Sequence, residues 1–282
     1  MRFEPILVGL CSMQMARYIV WFVIITGCIA QEDMDRKVFL FPKETATAFI
    51  TLKPEQSEPL KKFTVCLQSY TQLTREHSLF SLANSGTESD NTFLIYLEPP
   101  NYCMVYINQE EIRFRIDSEV LELKHTCASW DSDTGVVQLW INGKAYPRRV
   151  SNKGFTILAP YSIILGQEQD SYGGGFDAKQ SFVGEISDVH MWDYVLTFED
   201  INNVLSNVKN GNVVSWKSLW YESKGEVFVQ PKLQCQVCWE PAPNERCLGS
   251  PIGFRYKVDL AVEPEYKTET LACVDGFANN TI

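Results

Sequence analysis

A chain of 282 residues is long enough for one large domain or two modest ones. With 45% hydrophobic and 12% aromatic residues, its composition is globular and not disordered. A net charge of −10 argues against nucleic acid and anionic membrane surfaces as default partners, and it suits a protein that binds cations, or ligands through cations.

The N-terminus reads as a leader. Arg17 precedes an apolar run over residues 18–25, followed by Thr26-Gly27-Cys28-Ile29-Ala30. A basic residue, a short apolar core and a small residue at the cut describe a secretory signal peptide, with cleavage expected after Ala30. Residues 1–14 precede it as an extension with Glu4 and Pro5, and Met13 and Met15 are alternative starts. The competing reading is a membrane anchor, for which the apolar run is short. Secretion puts the cysteines in an oxidising compartment. Of nine, Cys11 and Cys28 leave with the leader; Cys66, Cys103, Cys127, Cys235, Cys238, Cys247 and Cys273 remain. An odd number leaves one thiol over.

Residues 37–230 read mostly as strands. β-branched and aromatic runs fall at 38–41, 48–52, 63–67, 93–97, 136–141 and 162–165, with turn signals such as Pro54, Pro99-Pro100-Asn101 and Asn152-Lys153-Gly154 between them. Asn142-Gly143 after Trp140-Ile141 predicts a hairpin, because a type I′ turn needs positive φ twice. Many short strands at this spacing predict an all-β antiparallel sandwich. One helix is expected on a sheet face. Thr197 caps it, Glu199 and Asp200 suit its first turn, Ile201, Val204, Leu205 and Val208 form its apolar stripe, and Gly211 ends it.

After Pro231 the composition changes. Residues 232–282 carry four cysteines and no clear strand or helix period, so this segment needs staples to order. It is read as a separate, weakly ordered extension: disulfide-bonded, unfolded or aberrantly spliced, or zinc-binding through Cys235-x-x-Cys238 with Cys247 and Cys273 at irregular later spacing. Asn279-Asn280-Thr281 is a glycosylation sequon. The expected organisation is leader 1–30, main domain 31–231 and extension 232–282.

The most informative stretch is residues 166–180, which crowds Glu168, Gln169, Asp170, Asp177 and Gln180 around Gly173, Gly174 and Gly175. Glycine tolerates positive φ and lets such a loop fold tightly. Crowded carboxylates repel unless neutralised. Calcium does so, taking six to eight oxygen ligands at about 2.3–2.6 Å. The spacing is not that of an EF-hand, and a solvated acidic loop is the alternative. A second motif, residues 125–132, follows an apolar strand at 120–123. Cys127 is expected to face Cys66 across the sandwich with Trp130 packed nearby. Closing about 60 residues stabilises by roughly 4 kcal/mol in the chain-entropy model. That structural use is preferred to catalysis by His125. Cys103 is expected to be buried and free, or else the odd thiol.

Here the residues reach a family. His125-x-Cys127-x-Ser129-Trp130-x-Ser132 resembles the pentraxin motif, and residues 33–44, 164–174 and 184–193 resemble the same family, the short pentraxins in particular, over about 33–231. The resemblance implies a flattened antiparallel β jelly roll that assembles into a cyclic pentamer. It also implies two Ca2+ per subunit on one face, through which ligand binds. The implied ligands to calcium are Asp90 and Asn91, Glu168, the backbone oxygen of Gln169, Asp170, Asp177 and Gln180. At Asp177 the family usually has glutamate. Asp90, Glu168, Asp170 and Asp177 sum to −4, the charge of two Ca2+, so charge balance survives while the shorter Asp177 predicts one tight and one weaker site.

Beside the ions, one branch of the family receives the choline of phosphocholine on a phenylalanine and a glutamate, across a gap left by a threonine. The matching positions here are Tyr96, Glu111 and Tyr106. Two tyrosines predict weaker phosphocholine selectivity and more tolerance for phosphoethanolamine or anionic carbohydrate; half-buried aromatic packing is the alternative. Complement components are implied as partners, but two positions implicated in recruiting them fall at Asn142 and Leu205, where a family member has aspartate and tyrosine.

The implied function is that of a secreted pattern-recognition protein of innate immunity, displayed as a homopentamer toward microbial or damaged-cell surfaces. Two rivals stand beside it. An enzyme would need a carboxylate pair, for which Glu168 and Asp170 pose, but calcium would hold both ionised. A structural adhesion module of the laminin G-like type would not form a pentamer.

Overall fold

The computed structural model describes residues 31–54, 58–85, 90–117 and 123–232, and the strands 245–249 and 255–259. Residues 1–30, Cys235, Cys238, Cys273 and the sequon lie outside the described residues.

Two antiparallel sheets face each other. The first contains β1 (Gln31–Glu32), β15 (Leu219–Lys224), β3 (Phe49–Leu52), β13 (Tyr161–Leu165), β5 (His77–Asn84), β6 (Phe93–Glu98), β7 (Tyr102–Ile107) and β8 (Glu110–Arg115), in that spatial order. The second runs β11 (Lys144–Ala145), β10 (Val136–Ile141), β9 (Lys124–Asp131), β4 (Lys62–Tyr70), β14 (Gly184–Trp192), β2 (Lys37–Phe41) and β16 (Phe228–Pro231), with β12 (Arg149–Val150) also on β10. In the C-terminal extension, β17 (Glu245–Gly249) and β18 (Arg255–Asp259) pair antiparallel, in a stretch where no strand period is visible.

Side-chain alternation divides each sheet into two faces. Phe93, Ile95, Val65, Leu67, Ala128, Trp130 and Leu139 point between the sheets and belong to one large buried core. On the same strands, Cys66, Cys127, Trp140 and Trp192 point outward from the second sheet and are covered by α1 (Phe198–Leu205) through Ile201 and Val204. On the first sheet, Leu94, Tyr96 and Met104 point outward with Tyr106 against them. The helix and this small apolar patch therefore occupy opposite outer faces.

The disulfide corrects the expected geometry. Cys66 and Cys127 are bonded, but they sit directly opposite each other on the neighbouring strands β4 and β9 of one sheet, not across the sandwich. The motif over 125–132 is itself mostly strand β9, so Cys127 and Trp130 have opposite parity. Trp130 packs in the inter-sheet core, while the disulfide lies under the helix. Cys103 is buried and free, and burial pushes its thiol up to about 12.

The helix starts as expected. Thr197 accepts from the Asp200 N–H at 3.1 Å, and Asp200 accepts in return from the Thr197 N–H at 3.0 Å, a capping box. It stops earlier than expected, at Leu205 with Ser206 as C-cap. Val208 lies beyond it and is 71% exposed, and Gly211 belongs to the segment returning to β14, where its N–H donates to His190 Nδ1. Asn142 and Gly143 both adopt positive φ, as the hairpin between β10 and β11 requires. Among the described residues no helix is long and apolar enough to cross a membrane.

The Cys66–Cys127 bond closes a separation of 61 residues. Replacing both cysteines by alanine is expected to lower the unfolding free energy in urea by about 4 kcal/mol. A loss below about 1 kcal/mol would show that the covalent link adds little to the sheet pairing beneath it.

Candidate functional site

A cleft of about 250 Å³ opens on the outer face of the first sheet, over its apolar patch. β6 supplies Leu94 and Tyr96, β7 supplies Met104 and Tyr106, and β8 supplies Glu111 and Arg113. In register, Tyr96 pairs with Met104 and Met104 with Arg113; Leu94 pairs with Tyr106 and Tyr106 with Glu111. Two cross-strand rows thus form the floor. The Tyr106 hydroxyl donates to Glu111 at 3.0 Å. The Tyr96 hydroxyl lies 3.4 Å from Glu76. Burial, reinforced by the carboxylates nearby, pushes both phenols up, Tyr106 to about 12, so both stay protonated donors.

The loop over 166–182 makes the upper wall. Its ends meet where the Phe182 N–H donates to Gly166 O at 3.0 Å. Two buried amides pin it to the scaffold. Gln167 Nε2 donates to Thr45 O and Ala48 O, at 2.6 and 2.8 Å. Gln169 Nε2 donates to Ser81 O at 3.0 Å, and its Oε1 accepts from the Gly173 N–H at 2.9 Å. With that side chain used inward, the backbone oxygen of Gln169 is what it has left to offer a ligand. Gly173 and Gly175 adopt positive φ and Gly174 does not. A Cβ at Gly175 would fall 2.7 Å from Asp170 Cβ, so only glycine lets this backbone lie against Asp170.

Between the two inward amides, Glu168 turns into the cleft. It is 2% exposed. Asn91 hydrogen-bonds its carboxylate, but Glu168 Oε2 and Asn91 Oδ1 are buried with no partner. Burial, then the Asp170 charge and that of Asp90, push the Glu168 carboxyl up to about 7. Buried acceptors without donors carry the full desolvation penalty, about 1–3 kcal/mol each and more when charged. A divalent cation removes that penalty, and an all-oxygen set of carboxylates and amides suits a hard ion such as calcium.

The structure brings Asp90, Asn91, Glu168 and Asp170 together, and Gln180 reaches Tyr96 at the cleft. Asp177 is placed differently. Its carboxylate accepts from the Lys179 N–H at 2.9 Å, capping the short 3-10 turn Ala178–Gln180, and the residue is exposed. Asn142 and Leu205 lie on the helix side and are structurally occupied: Asn142 Oδ1 accepts from the His125 N–H at 2.8 Å, and Leu205 is buried. His125 lies beside Cys66 and Cys127, but the two sulfurs are bonded to each other and offer no thiolate to a metal. Burial lowers the His125 pKa to about 4, keeping it neutral in the packing.

Sequence reading missed Arg75, Glu76, Gln109 and Arg113. Gln109 donates to Asp90 at 2.9 Å. Arg113 pairs with Glu98 and lies 4.3 Å over the Tyr102 ring. Arg75 donates to Lys179 O and Ser181 O, both at 2.7 Å, clamping the turn that presents Gln180. A signal was available for Arg113, which shares parity with Glu111 on β8; Arg75 and Glu76 carry no pattern of their own.

The fold is a two-sheet sandwich with an acidic loop beside a cleft on one outer face. Residues 37–231 match the model of the Pentaxin family. The chain is 58% identical to the C-reactive protein of Xenopus laevis over 225 residues, covering 79% of this chain and 94% of that one. It is 42% identical to the mouse serum amyloid P-component over 224 residues, covering 78% and 99%. Among solved structures it resembles the native heptameric SAP-like pentraxin of Limulus polyphemus, with TM-score 0.64, 25% identity and coverage of 73% and 99%. The chain belongs to the pentraxin family, a calcium-binding family. It is accordingly a pattern-recognition protein of innate immunity and not an enzyme.

Hydrogen bonds to a charged group contribute about 1.5–3 kcal/mol each. Arg75→Ala is therefore expected to speed amide exchange in residues 178–182 by at least about tenfold. Unchanged exchange there would show that the turn holds itself.

Proposed function

We propose that this is a secreted, calcium-dependent recognition protein that binds phosphocholine, phosphoethanolamine or anionic carbohydrate through two Ca2+ per subunit. The observation that carries the reading is the buried, unpaired Glu168 Oε2 beside the unpaired Asn91 Oδ1, at a cleft lined by Tyr96, Tyr106 and Glu111. Asp90, Asn91, Glu168, the Gln169 carbonyl, Asp170, Asp177 and Gln180 would hold the ions. Bound calcium offers open coordination positions to a phosphate or carboxylate oxygen of the ligand. Tyr106 occupies the space a choline methyl cluster would need, and Glu111 meets a cationic head group. Asp177, engaged with its own turn, makes the second ion the weaker one.

The reading includes secretion, from the leader, and display as a closed homo-oligomer, expected as a pentamer; the Limulus relative is a heptamer. Multiple copies on one face turn weak single-site affinity into avidity on a repetitive microbial or damaged-cell surface. Complement components are proposed as partners at the level of the family alone, since the buried Leu205 and the bonded Asn142 are not presented.

Binding to immobilised phosphocholine and phosphoethanolamine, with calcium and with a chelator, tests this. Retention in calcium alone is expected, and Tyr106→Thr should shift preference toward phosphocholine. Retention that ignores the chelator for both ligands overturns the reading.

A further inference from the structure

Glu76 stands just before β5, on the side of the cleft away from β8, and lines the same cavity as Glu111. The order of strands is β5, β6, β7, β8. Glu76, Tyr96, Tyr106 and Glu111 therefore follow one another across the face, a carboxylate at each end and a phenol beside each. Glu111 accepts the Tyr106 hydroxyl at 3.0 Å and keeps its other acceptor positions, while Glu76 is less engaged. Both residues are exposed, and the Tyr96 contact to Glu76, at 3.4 Å, is long for an O–H donor. Among the described residues, the one positive side chain lining the cleft is Arg113, which is committed to Glu98 and the Tyr102 ring. An independent observation fixes the other end of a ligand: the buried Glu168 Oε2 opens into this cleft unpaired, which is where an ion, and the anionic group it binds, belongs.

We propose that Glu76 is a specificity-determining residue which, with Glu111, flanks the cleft with carboxylates and so selects phosphate ligands that carry a primary ammonium over those that carry a trimethylammonium. The inference rests on the calcium-dependent reading above. A primary ammonium has three N–H donors and can donate to one of these carboxylates and to a tyrosine oxygen together, while the second carboxylate adds its charge to the cleft. A trimethylammonium has no donor and is recognised instead by aromatic faces. With the ions neutralising Glu168 and its neighbours, Glu76 and Glu111 remain as the uncompensated charge of the cleft, and they favour a ligand that ends in a cation.

The test titrates phosphoethanolamine, phosphocholine and glycerol phosphate into the calcium-loaded protein by calorimetry, for wild type, Glu76→Gln and Tyr96→Phe. A partly exposed charge pair is worth up to about 1 kcal/mol, or about fivefold in affinity. Glu76→Gln is expected to weaken phosphoethanolamine by about that factor, to change phosphocholine less, and to leave glycerol phosphate within about twofold or tighter. Tyr96→Phe, which keeps the carboxylate, should preserve the preference for the primary amine. Equal weakening of all three ligands by Glu76→Gln would make Glu76 a support for Tyr96 and overturn the proposal, as would unchanged phosphoethanolamine affinity. Wild type that binds none of the three in calcium would overturn the calcium-dependent reading itself, and this inference with it.

Discussion

Glu168 is held nearly inaccessible to water with one carboxylate oxygen unpaired, and much of the surrounding architecture serves that position. Gln167 and Gln169 on either side spend their amides on backbone carbonyls of β5 and of the segment leading into β3, which forces the residue between them to face the cleft. Gly175 lets the loop close over Asp170, and Arg75 fastens the returning turn. A buried carboxylate oxygen without a donor costs free energy that a bound cation would remove. The sandwich supplies rigidity, and the loop uses it to hold this acceptor in place.

The two outer faces have different chemistry because side-chain parity on the strands separates them. On the second sheet, the disulfide, Trp140 and Trp192 seal a dry layer beneath the helix. On the first sheet, the outward positions carry phenols and carboxylates over a thin apolar floor. A binding face and a scaffold face on opposite sides leave the cleft open when several copies present it together, the condition under which weak sites gain from multiplicity.

Much of this was legible in the sequence. Asp90, Asn91, Glu168, Asp170 and Gln180 come together with the Tyr96, Tyr106 and Glu111 positions, while Asp177 stands apart on its own turn. The fold class followed from short β-branched runs and one capped helix. What failed did so for physical reasons. The disulfide was expected across the sandwich because spacing says nothing of whether two strands share a sheet. Trp130 was put beside Cys127, although a separation of three residues on a strand reverses the face. Val208 was read into the helix stripe because apolar periodicity continues past the Ser206 cap. β5 escaped notice because its buried serines and His77 break the apolar signature: both of its faces are covered, and Ser81 finds a partner in Gln169. Arg75 and Glu76 sit in a connection, where only the folded register shows what they reach.

The most direct test of the central claim is calorimetric titration of calcium into the wild-type protein, Glu168→Gln and Asp177→Glu. The account predicts two ions bound unequally, loss of the tight one in Glu168→Gln, and strengthening of the weaker one in Asp177→Glu. An absence of saturable binding, two equally tight ions, or an unchanged isotherm from Glu168→Gln would contradict it.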